Sequence, residues 1–148
     1  MPLQTMFGSK VTLVETTQRH PLGTIRIEGD KTYKYMKAVG TIHSLDGCSM
    51  SATGAVVVTG SSLKTIGINT TFADLSSGDY FWMQVAGEIT GTSVTNLVTN
   101  GGTVGYPAYC TDATGKLTGA AGSGTAVGTA TVVVSSATVG TILLAGLL

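Results

Sequence analysis

A chain of 148 residues is long enough for one domain with a core of its own. Only 11% of its residues are charged, eight basic against eight acidic, so the net charge is zero and nothing steers it at long range toward nucleic acid or anionic lipid. Gly alone supplies 21 positions, and Thr and Val, whose branched side chains fit a pleated surface, are abundant; the composition is all-β and excludes a helical bundle.

The mean hydropathy is positive, and a near-neutral surface rich in Thr, Ala and Val is poorly protected against self-association. A protein of this kind is expected to work inside an assembly. No run approaches the roughly 20 apolar residues of a membrane-spanning helix; the closest, Val139–Leu148, reads as a terminal strand or an interface segment. Met1–Thr5 lacks a basic region followed by an apolar stretch, so folding in the cytoplasm is expected. Cys48 and Cys110 are then expected to be reduced and buried, with a disulfide between them as the sharper alternative.

In chain order, residues 1–20 have a β-prone centre, Lys10-Val11-Thr12-Leu13-Val14, with no turn to fold it back. They are expected to form an extended N-terminal arm on a single β domain of residues 21–148. Pro21 and Gly23 break regular structure after the arm. Thr24–Glu28 and Lys31–Lys37 both alternate around Gly29-Asp30, the signature of a β-hairpin. On its second strand Lys31, Tyr33, Tyr35 and Lys37 share one face, and Thr32, Lys34, Met36 and Ala38 the other.

Further strands are expected at Ala55–Thr59 and Thr65–Asn69, with a loop or single helical turn at Ala73–Gly78. Asp79–Ala86 carries Tyr80, Phe81 and Trp82 and is expected to be a central strand, followed by a tight return at Gly87-Glu88 into Ile89–Val94. Ala108–Thr111, Lys116–Thr118, Ala126–Val134 and Thr141–Leu144 complete the set. Short strands with turn signals at intervals near ten residues suit a small β-barrel or β-sandwich.

Reactive constellations are sparse. His20 and His43 read as solvent-facing polar residues, and Gly60–Thr65 fails as a phosphate loop because Leu63 stands where a glycine should precede Lys64. Asp74, Asp79 and Glu88 read as isolated solubilising acids. Tyr80 and Trp82 share one face of their strand and could stack on a sugar beside Asp79 and Asn96 or Asn100; Phe81 and Met83 share the other. One pair belongs to the core, and a ring pair left outside suits a subunit interface. No catalytic, cofactor-binding or metal-ligating residue is assigned, and no cofactor is expected.

Pro21-Leu22-Gly23-Thr24, the Gly29-Asp30 turn and Tyr33-Lys34-Tyr35-Met36-Lys37-Ala38 resemble the arm and hairpin that open small head-associated proteins of tailed bacteriophages. Tyr80–Gly87 is similar to their central aromatic strand. Ala108–Leu117 followed by Gly124–Ala130 is similar to their ending. Residues 39–78 match nothing in that pattern, and Cys110 is foreign to it.

The resemblance implies a non-enzymatic decoration, or cement, protein of the virion. Such a subunit sits on the outer surface of the head as a homotrimer that bridges major capsid proteins, with no nucleic acid or membrane partner. The residues expected at its interfaces are Val11, Leu13 and Val14 of the arm, Ile25, Ile27, Tyr33 and Tyr35 of the hairpin, and Tyr80 and Trp82 of the aromatic strand. A tail-tube or tail-fibre subunit, and a carbohydrate-binding module on the virion surface, are the rival readings.

Overall fold

The computed structural model describes residues 10–57, 64–89, 107–111, 117–118, 124–133 and 140–144. Its strands are β1 (Ile25–Glu28), β2 (Lys31–Lys37), β3 (Gly47–Met50), β4 (Ala55–Val57), β5 (Gly67–Ile68), β6 (Tyr80–Ile89), β7 (Pro107–Thr111), β8 (Leu117–Thr118), β9 (Gly124–Val133) and β10 (Gly140–Leu144). They form an open antiparallel sheet in the order β4-β3-β5-β6-β10-β9-β7-β8, with the β1–β2 hairpin joined to β6. No helix occurs among the described residues.

The hairpin is as expected. Glu28 and Lys31 pair across the Gly29-Asp30 turn, and Gly29 takes a φ of 61° that a Cβ would disfavour. β6 is the hub. Tyr80–Ala86 runs against β2, Gln84 also pairs with Ile68 of β5, and Gly87–Ile89 pairs with β10. The return expected at Gly87-Glu88 is therefore absent: the strand continues to Ile89, and Gly87 accommodates it with a φ of 93°. Of the segment expected to follow, only Ile89 falls among the described residues.

Alternation on β6 sends Phe81, Met83 and Val85 into one core with Met36, Ala38, Ile42, Cys48 and Leu75. It sends Trp82 to the opposite face, against Tyr33 and Tyr35. Both faces of the β2–β6 pair are thus covered, and Phe81, Trp82, Met83 and Tyr35 are all fully buried. Cys48 lies in the first core as a small apolar group, its thiol donating weakly to the Asp46 carbonyl at 3.7 Å. The side chain of Cys110 lies outside the described residues.

Strand β3 was not expected, because Gly47-Cys48-Ser49-Met50 contains no β-branched or aromatic residue. Pairing creates it, with β4 on one edge and β5 on the other. At the other end of the chain, Gly140–Leu144 is the expected terminal strand, inserted between β6 and β9. No helix among the described residues is long and apolar enough to cross a membrane.

Candidate functional site

What covers the aromatic face is the N-terminal segment. Residues 10–20 do not extend away from the sheet as an arm; they lie along it as a strap. Glu15 and Tyr80 exchange backbone hydrogen bonds, Glu15 N to Tyr80 O at 2.9 Å and Tyr80 N to Glu15 O at 2.7 Å. Val11 packs on the Tyr33–Tyr35–Trp82 cluster, and Val14 on the other core. Residues 1–9 of the expected arm lie outside the described residues.

Tyr35 is the rivet. Its hydroxyl donates to Glu15 Oε2 at 2.6 Å and accepts from the Arg19 amide at 3.1 Å. Burial, followed by the hydrogen bond to the Glu15 carboxylate, pushes the phenol up to about 12. His20 then closes the strap over the rings, 5.1 Å from the Tyr35 centroid and 5.1 Å from that of Trp82. It is a packing group on an aromatic floor, not the solvent-facing residue expected. Arg26 stacks its guanidinium 5.7 Å from the Trp82 centroid, and Lys37 Nζ sits 5.8 Å from that of Tyr80.

Tyr35→Phe removes one donor and one acceptor, leaving the Glu15 carboxylate and the Arg19 amide to find other partners. The expected cost at neutral pH is about 1–3 kcal/mol. A phenol whose folded-state pKa lies above its unfolded value contributes stability in full below about pH 10, and that contribution is lost as pH rises toward about 12. Urea titrations should therefore show the gap between wild type and Tyr35→Phe closing across that window. A pH-independent gap overturns the assignment of Tyr35 as the group that holds the strap.

The nine residues expected at interfaces separate into three sets. Tyr33, Tyr35 and Trp82 are buried within the chain, so their role is corrected from contact surface to core; Trp82 has 0% exposure. A sugar-stacking platform needs an open indole face, and that reading falls with it; Asn96 and Asn100 lie outside the described residues. Val11, Val14 and Tyr80 are half-buried against the two cores. Leu13, Ile25 and Ile27 face solvent, Ile27 at 71% exposure.

Leu22, Met50, Phe72 and Leu143 also face solvent, and none was among the nine. Phe72 is 57% exposed and has a φ of 61°, a left-handed backbone that is an outlier for a bulky side chain. Its loop is held by the buried Asn69, whose amide donates to the His43 carbonyl at 3.1 Å and the Ala73 carbonyl at 3.0 Å. Asn69 Oδ1 accepts from the Thr71 amide and hydroxyl. The bond to His43, 26 residues back, spans a distance no local motif announces. Beside Phe72 a pocket of about 110 Å³ opens between Val11, Tyr33, Gln84 and Ile89, small against the roughly 300–1,000 Å³ of typical ligand sites.

The acids staple turns. Asp79 Oδ2 accepts from the Ser76 amide at 2.7 Å, Asp74 Oδ1 from the Ser44 amide at 3.1 Å, and the buried Asp46 from the His43 amide at 2.9 Å. His43, largely exposed, pairs with Asp74 at 3.0 Å. No grouping of three or more His, Cys, Asp or Glu suited to a metal ion occurs among the described residues. Comparison of the chain with protein-family models, with curated proteins and with solved structures gives no match.

Proposed function

We propose that the protein is a decoration or cement subunit of a tailed-bacteriophage head, a non-enzymatic clamp that binds the outer capsid surface and bridges neighbouring major capsid proteins. The observation that carries the reading is where the apolar side chains go. Tyr35, Phe81 and Trp82 lie inside a doubly covered sheet under a riveted strap, while exposed apolar side chains, among them Leu13, Ile25, Ile27 and Phe72, point outward from separate elements. A rigid scaffold with dispersed apolar points suits a broad protein surface, where a few anchors carry most of the binding, better than a small ligand.

The resemblance of the hairpin, the aromatic strand and the C-terminal third to head-associated proteins supplies the kind of surface. In this reading the sheet closes into a small barrel or sandwich, and three copies surround an axis so that one interface is used three times. Cryo-electron microscopy of virions containing the protein tests it. Density on the outer head lattice, bridging adjacent capsid proteins, is the expected result. Its confinement to the tail would overturn the reading in favour of a tail-tube or tail-fibre subunit, and its absence from the virion would overturn both.

A further inference from the structure

β1 pairs with β2 alone, so no other described strand covers its second edge. The register decides which backbone groups that edge presents. Tyr35 N–H donates to the Thr24 carbonyl at 2.9 Å, so the hydrogen-bonded pairs of the hairpin are Thr24 with Tyr35, Arg26 with Tyr33, and Glu28 with Lys31. The amide and carbonyl groups of Ile25 and Ile27 therefore point away from β2. Their side chains lie on the Lys34 and Thr32 face, exposed at 42% and 71%. Arg26 and Glu28 occupy the opposite face and touch each other there.

We propose that this edge pairs with the same edge of a second copy of the chain, antiparallel about a two-fold axis at Ile27. The charge pattern selects both occupant and register. With Ile27 opposite Ile27 of the second copy, the two residues exchange backbone hydrogen bonds and their side chains meet. Arg26 of each copy then stands opposite Glu28 of the other, in the closer, non-hydrogen-bonded position of the ladder. Shifting so that the two-fold passes through Arg26 sets like charges against each other. The Arg26 guanidinium, which pairs with its own Glu28 and lies over Trp82, is the donor that faces the second carboxylate.

The contact is isologous and closes at two copies. A three-fold ring would use another surface, and this edge would join one ring to the next. A four-residue strand buries far less than the about 1,600 Å² of a standard interface, so the association is weak in free solution and gains when copies are held side by side. It stands independently of where the protein works.

Sedimentation equilibrium tests it, with near-UV circular dichroism to verify folding of each variant. Wild type should show a doubling of mass with loading concentration up to about 1 mM, weakened by salt. Arg26→Glu alone and Glu28→Arg alone should each weaken that doubling by about tenfold or more, since each opposes like charges across the axis. An equimolar mixture of the two should restore it, because acidic and basic edges then face each other. A purely intrachain role for the Arg26–Glu28 pair cannot produce that rescue.

Ile27→Pro leaves the charges in place and removes only an outward amide, which an edge strand tolerates; it should abolish the doubling. A wild type that does not double, a mixture no better than its parts, or a proline variant that associates like wild type would each overturn the proposal. The proline result decides the matter alone if a charge variant fails to fold.

Discussion

Trp82→Ala is expected to destabilise the protein by about 3–5 kcal/mol, the range for deleting a fully buried large aromatic. The indole has no exposed surface and is in contact with Tyr35 at a centroid distance of 5.0 Å, with His20 at 5.1 Å and with the Arg26 guanidinium at 5.7 Å. Against a typical stability of about 5–15 kcal/mol, such a loss brings a domain of this size close to unfolding at ambient temperature. Urea titration followed by far-UV circular dichroism reads the cost directly.

Phe81→Ala is the informative companion, because Phe81 is equally buried but faces the other core. Both variants should lose stability by a similar amount. Trp82→Ala removes the floor beneath His20 and Val11, whereas Phe81→Ala touches only the core under Val14, so Trp82→Ala should expose the strap to proteolysis between residues 10 and 20 far more, under conditions where the rest of the chain stays folded. A loss under about 1 kcal/mol for Trp82→Ala, or equal strap cleavage in both variants, would contradict the two-core arrangement.

The parts of the fold that could be read from the sequence are those specified locally. Ile25–Glu28 and Lys31–Lys37 alternate around a glycine turn, and the pairing observed there follows from the alternation alone. β6 was legible for the same reason, and so was the division of Tyr80 and Trp82 from Phe81 and Met83. β3 was not, since its residues have no strand preference and become a strand only between β4 and β5. The same holds for the strap. Nothing within Lys10–His20 signals a return to the sheet; the docking depends on Tyr35 and Tyr80, which lie far along the chain.

That single long-range event also redistributed the candidate site. Alternation identifies which residues share a face of a strand, but not whether something covers the face. Once the strap lies over Tyr35 and Trp82, the ring pair expected outside becomes a second core. The outward apolar points then include Leu13, Ile25 and Ile27, which were anticipated, and Leu22, Met50, Phe72 and Leu143, which were not among the expected interface residues. Phe72 is presented by the buried side chain of Asn69, and a lone Asn before two threonines carries no sequence pattern that distinguishes a staple from an ordinary loop residue.

Gly87→Ala carries the other large expected effect, and it joins local conformation to topology. Gly87 has a φ of 93°, so any Cβ there is strained by about 1–2 kcal/mol. Space is the harsher limit. A Cβ would stand 2.5 Å from the Asp30 carbonyl oxygen and 2.8 Å from Lys31 Cα, both backbone atoms of the hairpin turn that cannot rotate aside. Strain and overpacking together predict a loss of about 2–5 kcal/mol.

Gly78→Ala separates the two causes, because Gly78 has a φ of 102° but nothing within 4 Å of its would-be Cβ; it should show the strain alone. The position explains why the difference matters. At Gly87 the central strand passes from its pairing with β2, which ends at Ala86, to its pairing with β10, where Gly87 meets Leu144. The hairpin must approach that backbone closely for one continuous strand to serve both partners. Thermal unfolding of the two variants measures the energies, and equal losses would show that close approach contributes nothing. Amide exchange should locate the damage: Gly87→Ala should deprotect Thr32 and Tyr33 on one side and Leu143 and Leu144 on the other, whereas Gly78→Ala should leave all four protected.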